Sequence, residues 1–437
     1  MSGQRRRAPG ARDGGNDGKL PSTDVLPSPI RLLMLLVALP GARAGAAPLR
    51  LEDALRRVAE RGPDQAVVAA QVGVAETDVT TARMFPNPQL AVGAGRAEPV
   101  FTAGLTLRLP IFGQRGAQID AAQGGVAHAR AEAAASLWRL RHDARVSYYA
   151  VARADEEVAI ARAAEALARR IADMARERFA AGGGTRLDQE QGALGQVRAA
   201  QDISDRAATA RALRHELARQ LGLDPRELGE LADPLARMGD APPLDHLLDE
   251  ARARQPELKA LAAERAAALL RAGAARAERR PTLSLDLGLE VLDSATCGTG
   301  ETGPRCIGPR GGLAFDLPLF NLNGGPVARA EAEARLAQLR LDAAARRVET
   351  AVQIAAENLA AARARVRFFD EVYVPAADSV EAMAREGFAA GKTGLLPLVE
   401  AQRAVLEARL GRAAAQFAAQ VSRADLEEAS GVALSTP

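Results

Sequence analysis

The stretch that decides the fold is Pro281-Thr282-Leu283-Ser284-Leu285-Asp286-Leu287-Gly288-Leu289-Glu290-Val291, in which apolar and polar side chains alternate. Successive side chains of a β-strand point to opposite faces, so this pattern predicts a strand with one apolar and one polar face. Residues 101–111 repeat the pattern in the first half of the chain. Such a strand separates a core from water in a soluble sandwich, or lipid from a wet lumen in a membrane barrel.

The number of strands bears on these two alternatives. The sequence predicts four strands, near residues 89–96, 100–111, 282–292 and 310–320. The smallest membrane barrels have about eight strands, and an open sheet edge in lipid would leave backbone N–H and C=O groups unpaired. One chain therefore cannot close a barrel, whereas three chains would supply twelve strands around an open lumen. In that barrel we expect the lipid-facing side chains to include Leu105, Leu107, Leu285 and Leu287.

Each pair of strands is followed by a long segment with a helical period, from Gln114 to Ala181 and from Pro326 to Ala390. About 65 residues at about 1.5 Å each would span roughly 100 Å, several times the width of a globular domain. Pro375 is a candidate kink in the second helix. A seam with spacings of three and four, filled largely with small side chains, predicts coiled-coil packing. The seam consists of Leu137, Leu140, Ala144, Ser147, Val151, Ala154, Val158 and Ala161.

The chain repeats itself. Two helical stretches, residues 51–61 and 244–254, are each followed by a proline, at an offset of about 193 residues. Residues 179–182 and 388–391 share the sequence Phe-Ala-Ala-Gly at an offset of about 209 residues. We therefore predict a first repeat over 48–221, a linker over 222–243, a second repeat over 244–431 and a short tail over 432–437.

Residues 1–47 have the features of a leader and signal peptide. Arg31 precedes a short apolar run from Leu32 to Leu39, and small residues follow it. The run is far shorter than the roughly 20 apolar residues of a membrane-spanning helix. No Cys stands directly after the run, at the place where a lipid would be attached, so we expect no lipid anchor. The alternative interpretation is a disordered leader in front of a cytosolic helix bundle.

The two cysteines, Cys297 and Cys306, lie close together in a glycine-rich segment. This placement predicts a loop disulfide formed outside the cytosol, with two free thiols as the alternative.

The composition argues against an enzyme with a thick globular core. Aromatic residues make up 3% of the chain, and the formal net charge of +2 comes from interleaved acidic and basic residues. Interleaved charges are typical of solvated helices, and no basic block suggests a nucleic-acid partner. Residues 298–303 fit G-x-G-x-x-G but lead into a strand, and 387–393 resemble a shortened P-loop but follow a helix. We expect no catalytic residues, no cofactor and no bound metal.

Three short motifs, followed in order by counterparts in the second half, carry a family resemblance. They are Leu51-Glu52-Asp53-Ala54-Leu55, Pro86-Asn87-Pro88 and Leu109-Pro110-Ile111-Phe112-Gly113-Gln114-Arg115. From about Leu51 to Gly431 the chain resembles the TolC family of outer-membrane efflux factors. Residues 317–328 are most similar to the branch that serves heavy-metal RND pumps of the cobalt-zinc-cadmium type. Leu322 stands where that branch commonly has Arg.

The resemblance implies a mainly α-helical homotrimer with a twelve-stranded transmembrane β-barrel in the outer membrane and a long periplasmic helical barrel. It implies a passive exit duct of a tripartite efflux pump for heavy-metal cations. A periplasmic adaptor and an inner-membrane RND pump would be its partners. The alternatives are a periplasmic coiled-coil adaptor or scaffold, a cytosolic helical enzyme, and a duct for drugs or secreted substrates.

The resemblance also implies roles at the two turns where the long helices reverse. Adaptor contacts are implied at Gly182, Thr185, Leu187, Gly391, Gly394, Leu395 and Leu396. Asp188 and Glu400 match acidic positions around the periplasmic aperture, whereas Pro397 replaces another acid. In a trimer each carboxylate would form a ring of three like charges that concentrates cations. The alternative is that both are solvated acids that favour the dipole of the first helical turn.

Overall fold

The computed structural model describes residues 48–96, 99–292, 296–297 and 304–434. The first half contains α1 (Leu51–Arg61), α2 (Pro63–Arg83), β1 (Gln89–Ala94), β2 (Phe101–Leu109), α3 (Gln114–Ala180) and α4 (Arg186–Leu221). The second half contains α5 (Leu244–Arg254), α6 (Pro256–Ala277), β3 (Thr282–Leu292), β4 (Cys306–Asp316), α7 (Gly324–Phe368), α8 (Val374–Ala389) and α9 (Leu395–Ser430). A π-helical turn, Phe369–Tyr373, joins α7 to α8. The chain is therefore mainly helical, with a small antiparallel sheet.

The two short helices that the sequence predicts over 51–61 and 244–254 are confirmed at both ends. Each is followed at once by a helix that has a proline, Pro63 or Pro256, in its first turn. Proline has no N–H to donate, and the first turn of a helix is where that loss breaks no helical hydrogen bond.

The fourth strand lies four residues earlier than the sequence predicts. Instead of 310–320 it covers Cys306–Asp316. Pro318 lies in the stretch wrongly assigned to the strand, and proline cannot donate to a sheet ladder. The chain turns there instead, and the Leu319 N–H donates to the Leu317 carbonyl at 2.8 Å.

The two long helical segments differ in continuity. α3 has 67 residues without interruption, which corresponds to about 100 Å. In the second half, Pro375 lies in the first turn of α8, directly after the π-helical turn. Because Pro375 cannot donate a hydrogen bond, the helical ladder is rearranged in the turn before it. The candidate kink is thus a π-helical turn. The Phe369 ring of this turn packs against Gly411 of α9, so closely that a Cβ at Gly411 would lie 2.6 Å from a ring carbon.

α3 is the central helix of the bundle. It packs against α2, α4, α6 and α9, and α7 packs against α6 and α9. The buried members of the predicted seam are Ala144, Val151, Ala154, Val158 and Ala161. Small side chains let helix axes approach closely, which explains how an alanine-rich chain with few aromatics forms a stable bundle.

The largest apolar core lies along the middle of α3 and includes the linker. It contains side chains of α1, α3 and α4 together with Leu228 and Leu235. The Tyr148 hydroxyl donates to the Leu49 carbonyl at 2.8 Å, and Leu49 forms a parallel β-bridge with Leu231. The segment between the two halves is therefore part of the packed structure.

The four strands form one antiparallel sheet in the order β1-β2-β3-β4. The central pair, β2 and β3, joins the two halves of the chain, with Leu105 opposite Leu287. None of the helices in the described ranges combines the length and the apolar composition that a membrane-crossing helix requires.

Candidate functional site

One face of the sheet is an uncovered apolar surface. Leu105 and Leu287 lie opposite each other and are 51% and 56% exposed, whereas their neighbours Leu107 and Leu285 are half-buried. The same face continues onto the edge strands with exposed Leu90, Val92, Ile307, Leu313 and Phe315. A contiguous apolar surface of this size on a single chain indicates contact with lipid or with another protein.

The opposite face of the sheet is polar and has internal hydrogen bonds. The Thr106 hydroxyl donates to the Asp286 carboxylate across the β2–β3 pair. Glu290 lies opposite Thr102, and Ser284 lies opposite Arg108, so hydroxyl and charged groups face each other along the pair. Within the described residues, β1 and β4 each have one edge without a partner strand. Such edges require either water or strands from other chains.

Cys297 and Cys306 are joined by a disulfide in the structure, with their Cα atoms 5.9 Å apart. Cys306 is the first residue of β4, and Cys297 follows the end of β3. The bridge therefore closes the distal end of the second hairpin. The G-x-G-x-x-G segment, residues 298–303, lies outside the described residues.

The first helix reversal, between α3 and α4, is built by glycine and a capping box. Gly182 has φ +77°, a conformation that favours glycine. The Thr185 hydroxyl and N–H both contact the Asp188 carboxylate, and the Asp188 N–H donates to the Thr185 hydroxyl at 3.1 Å. Leu187 points outward and is 65% exposed. Asp188 thus has a local structural role in addition to the proposed place at an aperture.

The second reversal, between α8 and α9, uses Gly391 with φ +72°. Residues 387–393 are the last turn of α8 and the turn that follows, and a helix precedes them rather than the strand that a P-loop requires. Glu400 forms an ion pair with Arg403 at 2.9 Å on the exposed surface of α9. Gly394 is the residue before α9 begins.

Leu395 corrects one expectation about the second reversal. It is 1% exposed and packs with Ile171, Phe388 and Leu398, so it is unavailable to an adaptor in this conformation. The neighbouring Leu396 is 63% exposed. The first turn of α9 therefore directs Leu395 into the helix bundle and Leu396 outward, because successive helical residues lie about 100° apart.

The two reversals lie side by side and are joined by Arg178. This side chain donates to the Phe388 carbonyl at 3.1 Å and to the Gly183 carbonyl at 3.3 Å. Its guanidinium carbon lies 4.6 Å from the centre of the Phe388 ring, within the range of a cation–π interaction. No sequence motif suggested this contact, because it depends on how α3 and α8 pack.

A charged cluster in the middle of the bundle was also not apparent from the sequence. His142 of α3 lies 2.9 Å from the Asp425 carboxylate of α9 and 3.1 Å from Asp143. The hydrogen bond to Asp425 is the main cause that raises the pKa of His142 to about 9, and burial opposes the shift. Glu428 adds a third carboxylate at 3.6 Å. Within the described residues, no three His, Cys, Asp or Glu side chains are grouped so as to hold a metal ion.

A second cluster, one helical turn away, is buried. Arg145 donates to the Glu427 carboxylate, and Arg423 lies 3.5 Å from the same group. Burial raises the pKa of Glu427, whereas the two arginines act in the opposite direction. Both clusters fix the C-terminal part of α9 to α3.

The comparisons with known proteins agree with this architecture. The family model described as "Outer membrane efflux protein" matches residues 54–223 and 247–432. The "Cobalt-zinc-cadmium resistance protein CzcC" of Cupriavidus metallidurans is 26% identical over 375 residues, which cover 84% of this chain and 86% of that protein. "Protein CyaE" of Bordetella pertussis is 32% identical over 316 residues, 68% of this chain and 66% of CyaE.

Among solved structures, the CmeC outer membrane channel of Campylobacter jejuni superposes with a TM-score of 0.70 at 14% identity. The superposition covers 87% of this chain and 85% of that channel. At this identity the match establishes the fold. The long helices and the four-stranded sheet therefore have the arrangement found in an outer-membrane channel.

Proposed function

Because this chain belongs to the outer membrane efflux protein family, we propose that it is the passive exit duct of a tripartite pump that exports heavy-metal cations. In this proposal three copies each contribute four strands to one twelve-stranded barrel in the outer membrane. The long helices continue the duct through the periplasm. The two halves of each chain, residues 48–221 and 244–431, act as two structural repeats joined by the linker 222–243.

The observation that carries the proposal is the sheet. It has one exposed apolar face, one polar face and two unpaired edges within the described residues, and it sits at the end of helices about 100 Å long. Closing the sheet with strands of other chains would pair both edges, turn the leucines toward lipid and turn Asp286 toward water. The alternative of a periplasmic adaptor or scaffold leaves the apolar face of the sheet without an explanation.

The proposed partners are a periplasmic adaptor and an inner-membrane RND pump. The two helix reversals are the proposed adaptor contacts, with Gly182, Thr185, Leu187, Gly391, Gly394 and Leu396 on the surface or in the turns. Asp188 and Glu400 are proposed to surround the periplasmic aperture. Heavy-metal cations are proposed as the substrate because CzcC, a relative over 84% of this chain, is a cobalt-zinc-cadmium resistance protein.

Fractionation tests the location and assembly of the duct. We expect the protein in the sarkosyl-resistant outer-membrane fraction, as a trimer whose gel mobility changes on heating. Recovery as a monomer in the soluble periplasm would contradict the proposal.

A survival assay of a deletion strain tests the substrate. We expect greater sensitivity to zinc, cobalt or cadmium, restored by the wild-type gene and not by a variant that fails to reach the outer membrane. Sensitivity restricted to drugs, with no metal phenotype, would favour a duct for other substrates.

A further inference from the structure

All four junctions between strands and helices lie at one end of the sheet. β1 and β3 begin there, and β2 and β4 end there, as the pairing of Leu109 with Leu283 and of Thr282 with Asp316 requires. The connecting segments carry exposed large apolar side chains. They are Met84, Phe85, Ile111, Phe112, Leu317, Leu319, Phe320 and Leu322. Phe320 is fully exposed.

Four arginines lie among these apolar side chains, and we call Arg83, Arg115, Arg279 and Arg280 the arginine collar. The first turn of α3 brings them together. The Arg115 guanidinium donates to the Arg83 carbonyl and stacks on the Phe85 ring, with its carbon 4.4 Å from the ring centre. The Gln114 side chain donates to the Arg280 carbonyl at 3.2 Å. The ends of α2 and α6 therefore lie on either side of the start of α3.

The collar has a surplus of positive charge. Two carboxylates, Glu278 and Asp316, lie in the same junctions as the four arginines, which leaves two positive charges per chain. Glu278 also accepts a hydrogen bond from the Asn323 side chain at 3.2 Å. Within the described residues, the Arg83 and Arg279 side chains are exposed and form no hydrogen bond and no ion pair within 4.0 Å. The charge of Arg279 helps to lower the pKa of the nearby Glu331 carboxylate, which is itself paired with Arg276 at 2.6 Å. Their guanidinium groups are thus available to an external anion.

An uncovered set of apolar side chains beside exposed arginines matches the chemistry of a phospholipid leaflet. Apolar and aromatic side chains enter the acyl region, whereas arginines extend to the phosphate level. An anionic headgroup offers a phosphate and a net negative charge, to which juxtamembrane arginines are attracted. A neutral lipid offers the same apolar region without the net charge.

We propose that the arginine collar binds the headgroups of anionic phospholipids, of which phosphatidylglycerol is the simplest, in the leaflet nearest the helices. This proposal rests on the proposed function, because it requires the sheet to lie in a bilayer. It adds a lipid preference that the apolar face of the sheet does not provide. Arg83 and Arg279 supply the selectivity, whereas Arg115 and Arg280 also hold the junction together through bonds to backbone carbonyls.

Fluorescence quenching by brominated lipids tests the proposal. Trp138 is the single tryptophan, so a chain carrying Trp138→Phe and Phe320→Trp reports on the collar alone. The assembled protein is reconstituted in phosphatidylcholine vesicles that contain the same small fraction of brominated phosphatidylglycerol or brominated phosphatidylcholine. We expect stronger quenching by the anionic lipid. Replacing Arg83 and Arg279 with Gln should reduce this preference at least about fivefold. Added salt should weaken it.

Arg271→Gln with Arg346→Gln is the matched control, because both side chains are exposed on α6 and α7 away from the junctions. This pair should leave the lipid preference unchanged. Equal quenching by the two lipids, or a preference that survives the loss of Arg83 and Arg279, would overturn the proposal.

A second reporter, Leu287→Trp with Trp138→Phe, distinguishes failure of the lipid proposal from failure of the proposed function. Quenching of that reporter by either brominated lipid shows that the sheet lies in the bilayer. If it is quenched while the Phe320→Trp reporter is quenched by neither lipid, a protein surface covers the junctions and the lipid proposal is wrong. If neither reporter is quenched, the membrane barrel itself is wrong.

Discussion

The Arg178 guanidinium carbon lies 4.6 Å from the centre of the Phe388 ring, and the same side chain donates to the Phe388 carbonyl at 3.1 Å. Arg178 belongs to the first helix reversal and Phe388 to the second. At the repeat offset of about 209 residues, the counterpart of Arg178 is Gly387, which has no side chain. The two reversals of one chain are therefore joined by a contact that comes from one repeat only.

Arg178→Ala should loosen the two reversals. It removes a cation–π contact worth about 0.5–2 kcal/mol and charged hydrogen bonds worth about 1.5–3 kcal/mol each. We expect faster hydrogen exchange in residues 387–394 and a larger channel conductance in planar bilayers. Arg176→Ala, two residues away, is the control that should change neither, because among the described residues Arg176 pairs only with Asp173 of its own helix. Unchanged exchange in the Arg178 variant would show that the contact does not hold the reversals together.

Asp188→Asn and Glu400→Gln test the aperture. Both changes remove the charge and keep a side chain of similar shape, so Asp188→Asn retains much of the capping box with Thr185. We expect lower cation preference and weaker block by divalent and trivalent cations in bilayer recordings, with the largest effect in the double variant. Identical recordings from all variants would assign both acids to helix capping and surface pairing alone.

Leu287→Arg and Asp286→Arg test the two faces of the sheet. An arginine on the lipid face near mid-membrane should cost about 2–4 kcal/mol, whereas one on the lumen face should cost less. We expect Leu287→Arg to reduce the amount of heat-modifiable trimer in outer membranes and Asp286→Arg to assemble, despite loss of the bond from Thr106. The reverse result would mean that the polar face meets lipid.

His142 should make stability depend on pH. Its pKa in the folded protein is raised from the ordinary 6.5 to about 9, so the charged form stabilises the fold. The contribution is complete below pH 6.5 and is lost as the pH rises through about 9, with an upper limit of about 3 kcal/mol. Thermal unfolding of the purified protein should show a lower Tm at the alkaline end of this range. His142→Gln should flatten the dependence, whereas His215→Gln, exposed on α4, should retain it.

The Cys297–Cys306 disulfide should resist thiol labelling. We expect that a membrane-impermeant maleimide does not label intact cells until a reductant is added, because both cysteines are oxidised and, in the proposed duct, the hairpin end that carries them faces the outside. Labelling without a reductant would show free thiols. Failure to label even after reduction would place this end of the hairpin away from the cell surface.

The sequence predicts best those elements whose signal is local. The bounds of α1 and α5 follow from a helical period that stops before Pro63 and Pro256. β4 shows where a local signal is insufficient. Its first half, residues 306–312, contains three glycines and a proline, which strands usually avoid, so its alternation is hidden. Its register is set by pairing with β3, from Leu292 opposite Cys306 to Thr282 opposite Asp316.

The parts that the sequence could not predict depend on contacts between distant segments. His142 and Asp425 are 283 residues apart, and Arg145 and Glu427 are 282 residues apart, so no spacing rule connects them. The family resemblance implies an adaptor contact at Leu395, yet this side chain packs against Ile171 of α3. For the same reason the sequence indicated which residues form the two reversals but not that Arg178 joins them.

The π-helical turn before Pro375 makes the two hairpins mechanically unequal. α3 transmits force along 67 residues as a single stiff rod, because a continuous ladder of hydrogen bonds permits only gentle curvature. The second hairpin has a joint at Phe369–Tyr373, and Gly411 on α9 leaves room for the Phe369 ring at that level. A partner that pulls on both reversals would therefore bend α8 before it bends α3. Movement at the periplasmic end would begin in the second half of each chain, with the first half serving as the fixed frame.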